Sequence, residues 1–105
     1  MDIKLAEVPF KEIMPGYHGQ LIHTEHMTWA FWTVNKGAEV PAHSHVNEQV
    51  MQVIEGRFEF TLNGRTKIYE PGMLVVIPAH ATHSGKALTS CKLLDVFSPV
   101  REAYK

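Results

Sequence analysis

RFEFTLNGRTKIY, residues Arg57 to Tyr69, decides the class of fold open to this chain. Phe58, Phe60 and Leu62 alternate with Arg57, Glu59 and Thr61, the period-two pattern of a strand with one buried and one wet face. Asn63-Gly64 follows at once, and both residues tolerate the positive φ of a two-residue hairpin turn. Arg65 to Tyr69 supplies the returning strand. The stretch predicts a β-hairpin.

The same rhythm extends to both sides. Thr28 to Asn35 (TWAFWTVN), Gln49 to Ile54 (QVMQVI), Met73 to Ile77 (MLVVI) and Cys91 to Phe97 (CKLLDVF) are short runs rich in β-branched and aromatic residues. Glu55-Gly56, Pro71-Gly72 and Ile77-Pro78 break the chain between them. No segment shows helical periodicity, so the pattern predicts an all-β sandwich or barrel. Met1 to Gly19 holds Pro9, Pro15, Gly16 and Gly19, and reads as an N-terminal arm or edge strand (1–19) before a barrel (20–105). Val100 to Lys105, after Pro99, reads as a short turn over that barrel.

Composition narrows the function. A chain of 105 residues makes one domain, and 45% apolar with 20% charged residues is ordinary globular usage, which excludes disordered and fibrous classes. A formal charge of −1 leaves no electrostatic footprint for nucleic acid. No apolar run approaches the roughly 18 residues of a membrane-spanning helix. Met1 to Phe10 carries acids and Pro9 where a secretory signal would be apolar. The single cysteine, Cys91, excludes an internal disulfide framework and suits a reducing compartment. The expectation is a cytoplasmic protein that takes a small molecule, without nucleic acid or membrane.

Seven histidines are many for this length. His43 and His45 flank Ser44, and residues two apart in an extended segment project to one face, so both imidazoles converge. The same parity favours Gln49 over Glu48 as a third group. His83, beyond Pro78, is the fourth candidate, placed where the chain returns across the sheet. Neutral imidazole is the commonest metal ligand. His18, His23 and His26 have no ordered spacing to these and read as ordinary surface or hydrogen-bonded residues. His80 is close to His83 but at the wrong parity.

These residues resemble the cupin motifs. The first cupin motif runs from a glycine through His-x-His and a glutamate to a second glycine; Gly37, His43, His45, Gln49 and Gly56 fit its spacing, with Gln49 in the glutamate place. Gly72, Pro78 and His83 fit the second motif, with His80 in place of its glycine and Ala87 in place of its asparagine. The resemblance implies a cupin barrel (the double-stranded β-helix, or jelly roll) holding one divalent transition metal, nickel, zinc, iron or manganese, on His43, His45, Gln49 and His83. All four ligands would be neutral, so the ion keeps its full charge, which favours Lewis-acid chemistry. Oxygen activation more typically uses two histidines and a carboxylate.

Strand parity in Cys91 to Phe97 puts Asp95 on one face with Leu93 and Phe97. That placement fits either a structural, hydrogen-bonded aspartate or a general acid–base in a cavity, its pKa tuned by apolar neighbours. LLDVFSPVRE (Leu93 to Glu102), HSHVNEQ (His43 to Gln49) and VIEGRFEF (Val53 to Phe60) are similar to the KdgF family of pectin-degradation cupins. That resemblance implies Asp95, Phe97 and Arg101 as functional site residues, a homodimer, and a sugar acid as substrate. The implied reaction is ring opening of 4,5-unsaturated monouronates to linear keto-uronates. Phe97, with Trp29 or Trp32 if inward, would then offer the sugar an apolar platform, although core packing is the commoner role of a tryptophan. Rival readings are a cupin dioxygenase or isomerase on another small organic acid, and a non-catalytic ligand-binding cupin.

Overall fold

Residues 57–69 fold as the alternation predicts. In the computed structural model, which describes residues 1–105, Phe58 pairs with Tyr69 and Leu62 with Arg65. Asn63 and Gly64 turn the corner at φ of 49° and 80°. Phe58 and Phe60 are buried while Arg65 to Ile68 are exposed.

Ten strands follow one another with almost no helix between: β1 (Lys11–Met14), β2 (Tyr17–His23), β3 (Thr28–Val34), β4 (Glu39–His43), β5 (Glu48–Glu55), β6 (Phe58–Leu62), β7 (Arg65–Tyr69), β8 (Leu74–Ile77), β9 (His83–Ala87) and β10 (Cys91–Ser98). Single 3-10 turns stand at Leu5–Glu7 and Glu102–Tyr104. No helix is long and apolar enough to cross a membrane. The strands form two antiparallel sheets, in the orders β1-β2-β3-β10-β5-β8 and β4-β9-β6-β7. Their inner faces close on one core that includes Trp32, Val34, Met51, Phe58 and Leu93. This is an all-β jelly roll.

Three strands escape a reading of local pattern. β4 contains Pro41 and β9 contains Gly85, both poor strand residues, yet the two strands pair with each other. β4 is an edge strand, where a missing N–H is tolerated. β2 carries Gly19 and begins at Tyr17, so the segment read as an arm up to residue 19 divides: β1 is the sheet edge and β2 lies inside it. Gly19 has a packing reason. A Cβ there would come within 2.6 Å of the Trp32 ring, so its absence is what lets the indole lie flat across β2.

Candidate metal centre

His43 ends β4, His83 begins β9, and the two are register partners across the sheet. His45 stands in the short crossing to β5, and Gln49 is the second residue of β5. The ligand atoms of His43, His45 and His83 all lie within 4.8 Å of one another. His45, Asn47 and Gln49 are buried while Val46 and Glu48 are exposed, so the two-residue parity persists through the crossing.

Each imidazole is latched by a nearby carbonyl. His43 Nδ1 donates to Pro41 O at 2.9 Å, His45 Nδ1 to Asn47 O at 3.0 Å and His83 Nδ1 to Ala81 O at 2.9 Å. A carbonyl only accepts, so each Nδ1 holds the proton and each Nε2 presents a lone pair. Burial, reinforced by the neighbouring histidines and Arg101, lowers the His83 pKa to about 4. Burial and the Arg101 charge lower that of His45 as well. Both rings are therefore neutral at pH 7, as metal ligation requires.

A divalent cation suits this donor set. His83 Nε2 is buried without any partner. His45 Nε2 lies 3.1 Å from Gln49 Oε1, and the Gln49 amide also favours the charged Asp95 carboxylate beside it. With its proton on Nδ1, His45 turns the Nε2 lone pair toward Gln49 Oε1, two acceptors side by side. A cation placed between them would be accepted by both.

Asp95 occupies the middle of β10 and is buried, with Oδ2 accepting the Trp32 indole N–H at 3.0 Å and Oδ1 unpartnered. Burial pushes its pKa up to about 7, against the opposing pull of Gln49 and Trp32. It lines one cavity with His43, Gln49, His83, Phe97 and Tyr104. Arg101 pairs with no carboxylate; its guanidinium lies 5.0 Å from the Tyr104 ring centre and 5.9 Å from that of Phe97. Phe97 is 1% exposed, its ring covered by His45 and Tyr104 edge-on, so it packs against the His45 ring rather than presenting an open platform. Trp32 is inward and Trp29 is on the outer face of the sheet, which excludes Trp29 from the cavity.

The other histidines stand apart from the cluster. His18 faces Glu12, His23 bonds Thr28 Oγ1 and His26 is exposed. His80 serves through its backbone, whose N–H donates to His45 O. Two residues without a role in the sequence reading matter here. Buried Asn47 donates from Nδ2 to Pro99 O at 2.6 Å and Val100 O at 3.3 Å, tying the His45 crossing to the segment that carries Arg101. Tyr104 roofs Trp32 and Phe97. Two-residue parity from His43 puts Asn47 on the same face as Gln49, but its partners, about fifty residues away, leave no local signal.

No curated protein matches the sequence. Among solved structures, KdgF from Halomonas sp. superposes with a TM-score of 0.93 at 27% identity, covering 100% of this chain and 98% of that one. An RmlC-like cupin from Shewanella frigidimarina also reaches 0.93, at 28% identity over 98% of this chain and 94% of its own. Salicylate 1,2-dioxygenase from Pseudaminobacter salicylatoxidans gives 0.75 at 26% identity, covering 82% of this chain but 27% of that longer one. Residues 30–97, from the inward face of β3 to Phe97 in β10, match the family model described as Cupin domain. With both sheets and all three histidines in place, this chain belongs to the cupin family.

Proposed function

We propose that this cupin is a metal-dependent enzyme that opens 4,5-unsaturated monouronates to linear keto-uronates. The observation that carries the reading is a neutral ligand set beside a buried carboxylate with one free oxygen, Asp95. Full-length similarity to KdgF from Halomonas sp. supports it. The reaction is an isomerisation: the anomeric hydroxyl loses its proton, the bond from C1 to the ring oxygen breaks, and C4 of the resulting enol takes up a proton. No atom is gained or lost.

His43, His45, Gln49 and His83 would hold a divalent ion, which would supply positive charge opposite the negative charge that develops on a substrate oxygen. Asp95 carries the proton, and a carboxyl held near neutral affinity can both take and return one. Arg101 offers the substrate carboxylate a planar two-pronged donor. The interior beside the ligands measures about 40 Å³, room for little more than an ion and a few waters.

Loss of ultraviolet absorbance from a panel of unsaturated monouronates, with products identified by NMR, tests the reading; a metal-loaded protein that turns over none of them defeats it. A second reading, oxygenase chemistry, draws support from the three-histidine set and the similarity to salicylate 1,2-dioxygenase. Oxygen uptake by iron-loaded protein on small aromatic or keto acids would favour it instead.

Two variants examine individual roles. Gln49→Glu is expected to retain or tighten metal binding and to slow turnover, because an added carboxylate neutralises part of the ion's charge; equal rates at equal metal content would show that ligand neutrality is not used. Arg101→Lys keeps the charge and loses the fork, so steady-state kinetics should show KM rising more than kcat falls. A fall confined to kcat would move Arg101 from binding to chemistry.

A further inference from the structure

We propose that Thr28 is a positioning residue: its hydroxyl sets the place from which Arg101 reaches a ligand carboxylate, given the reading of Arg101 as the donor that takes that carboxylate. Strand register puts Thr28 on the row of the six-stranded sheet that carries the site. His23 neighbours Thr28, Thr28 neighbours Phe97, Phe97 neighbours Gln49 and Gln49 neighbours Ile77, one line across five strands. Thr28, Phe97 and Gln49 are all buried. Two strand spacings, about 10 Å, separate Thr28 from Gln49.

A hydroxyl is an expensive group at this position. Thr28 is 0% exposed, and a buried O–H without a partner is costly. Neither of its partners lies in the core. His23 Nδ1 lies 2.8 Å from Thr28 Oγ1, and the Arg101 N–H donates to the same oxygen at 2.9 Å. One proton and two lone pairs let the hydroxyl serve both at once. Arg101 stands outside every strand, just before the 3-10 turn Glu102–Tyr104, so no ladder supplies its N–H with an acceptor. Thr28 supplies it.

The backbone end of Arg101 is therefore fixed by the sheet, and the side-chain end is braced separately. Its guanidinium lies 5.0 Å from the Tyr104 ring centre, while Nε is buried and bonds to nothing. A donor is left over for a ligand. An arginine has several rotatable bonds, and ordering them on binding costs affinity unless the chain is held beforehand. Asn47 also holds this segment, through Pro99 O and Val100 O, but its own carbonyl latches the His45 ring. Thr28 is the separable anchor, because neither of its hydrogen-bond partners is a metal ligand. The distance from the arginine's anchor to Gln49 is thus written into the register of β3, β10 and β5.

Thr28→Val keeps the branched shape and removes the hydroxyl. On the unsaturated monouronate that the wild type opens, KM should rise about two- to tenfold with kcat held within about twofold. Metal content should be unchanged, and Thr28→Ser should restore KM. In an Arg101→Ala background, Thr28→Val should cost nothing further in kcat/KM, since a residue acting through Arg101 has nothing left to act on. Independently of turnover, hydrogen exchange at the Arg101 amide should quicken about tenfold in Thr28→Val and recover in Thr28→Ser, with the Asp95 amide unaffected.

An unchanged KM, a serine variant no better than the valine one, or an equal penalty in the Arg101→Ala background overturns the proposal. Thr28→Ala, which also lacks the hydroxyl, is read the same way if Thr28→Val does not fold. A wild type that opens no unsaturated monouronate defeats the reading of the reaction, and amide exchange then decides alone. Faster exchange at Arg101 upholds Thr28 as its anchor, and unchanged exchange overturns it.

Discussion

Asp95→Asn, folded and loaded with metal, should turn over unsaturated uronate about a hundred to ten thousand times more slowly than the parent. That range is what a positioned general acid–base typically contributes, and the substitution removes the titrating group at nearly constant shape. Asn Oδ1 can still accept the Trp32 N–H, so the cavity wall is retained. Thermal unfolding separates this from a structural role. Burial raises the Asp95 pKa from 3.8 to about 7, so the folded state binds this proton more tightly than the unfolded chain does. In the metal-free protein that contributes a stability loss growing from about pH 4 to about pH 7 and constant above, on the order of a few kcal/mol. Asp95→Asn should therefore raise the metal-free Tm at pH 8 while depressing the rate. A normal rate in folded, metal-loaded Asp95→Asn removes Asp95 from the mechanism.

Protein purified without chelator should carry about one divalent ion per chain, and His45→Ala/His83→Ala should carry none and show no turnover. Two of four donors are lost, and the remaining pair, His43 and Gln49, holds a first-row ion far less tightly. The fold should survive, because each deleted ring's Nδ1 is held by a carbonyl two residues away in sequence and His83 Nε2 bonds to nothing in the chain, so no long-range hydrogen bond is lost. Elemental analysis with circular dichroism reads both outcomes. Full occupancy in a folded double variant overturns the ligand assignment.

What could be read from the residues is what depends on parity. Alternation in residues 57–69 gives the hairpin, alternation in Cys91 to Phe97 turns Asp95 inward, and the two-residue spacing from His43 to Gln49 aligns the donors. Parity says which face a side chain takes and is silent about what lies across from it. The Trp32 N–H on Asp95 joins residues 63 apart, and the Asn47 tie joins residues 52 apart. Trp29 and Trp32 sit three apart, so one had to face out, but only the sheet order shows which. β4 and β9 were illegible for a different reason. Pro41 and Gly85 carry no strand preference of their own, and those strands exist through pairing with each other.

β10 is hydrogen-bonded along both edges, to β3 and to β5, with Asp95 at its centre. Six residues on, Arg101 hangs from its own amide on Thr28 Oγ1 and from the Asn47 tie to Pro99 and Val100. The carboxylate and the guanidinium consequently keep different time. Freeing β10 means parting the middle of the six-stranded sheet, an excursion with nearly the free energy of global unfolding, whereas the C-terminal turn loosens for a few hydrogen bonds and the Tyr104 contacts. Tail segments of this kind move within nanoseconds to microseconds. Under the proposed function, the arm that would grip substrate can thus let go many times while the part that would do chemistry stands still.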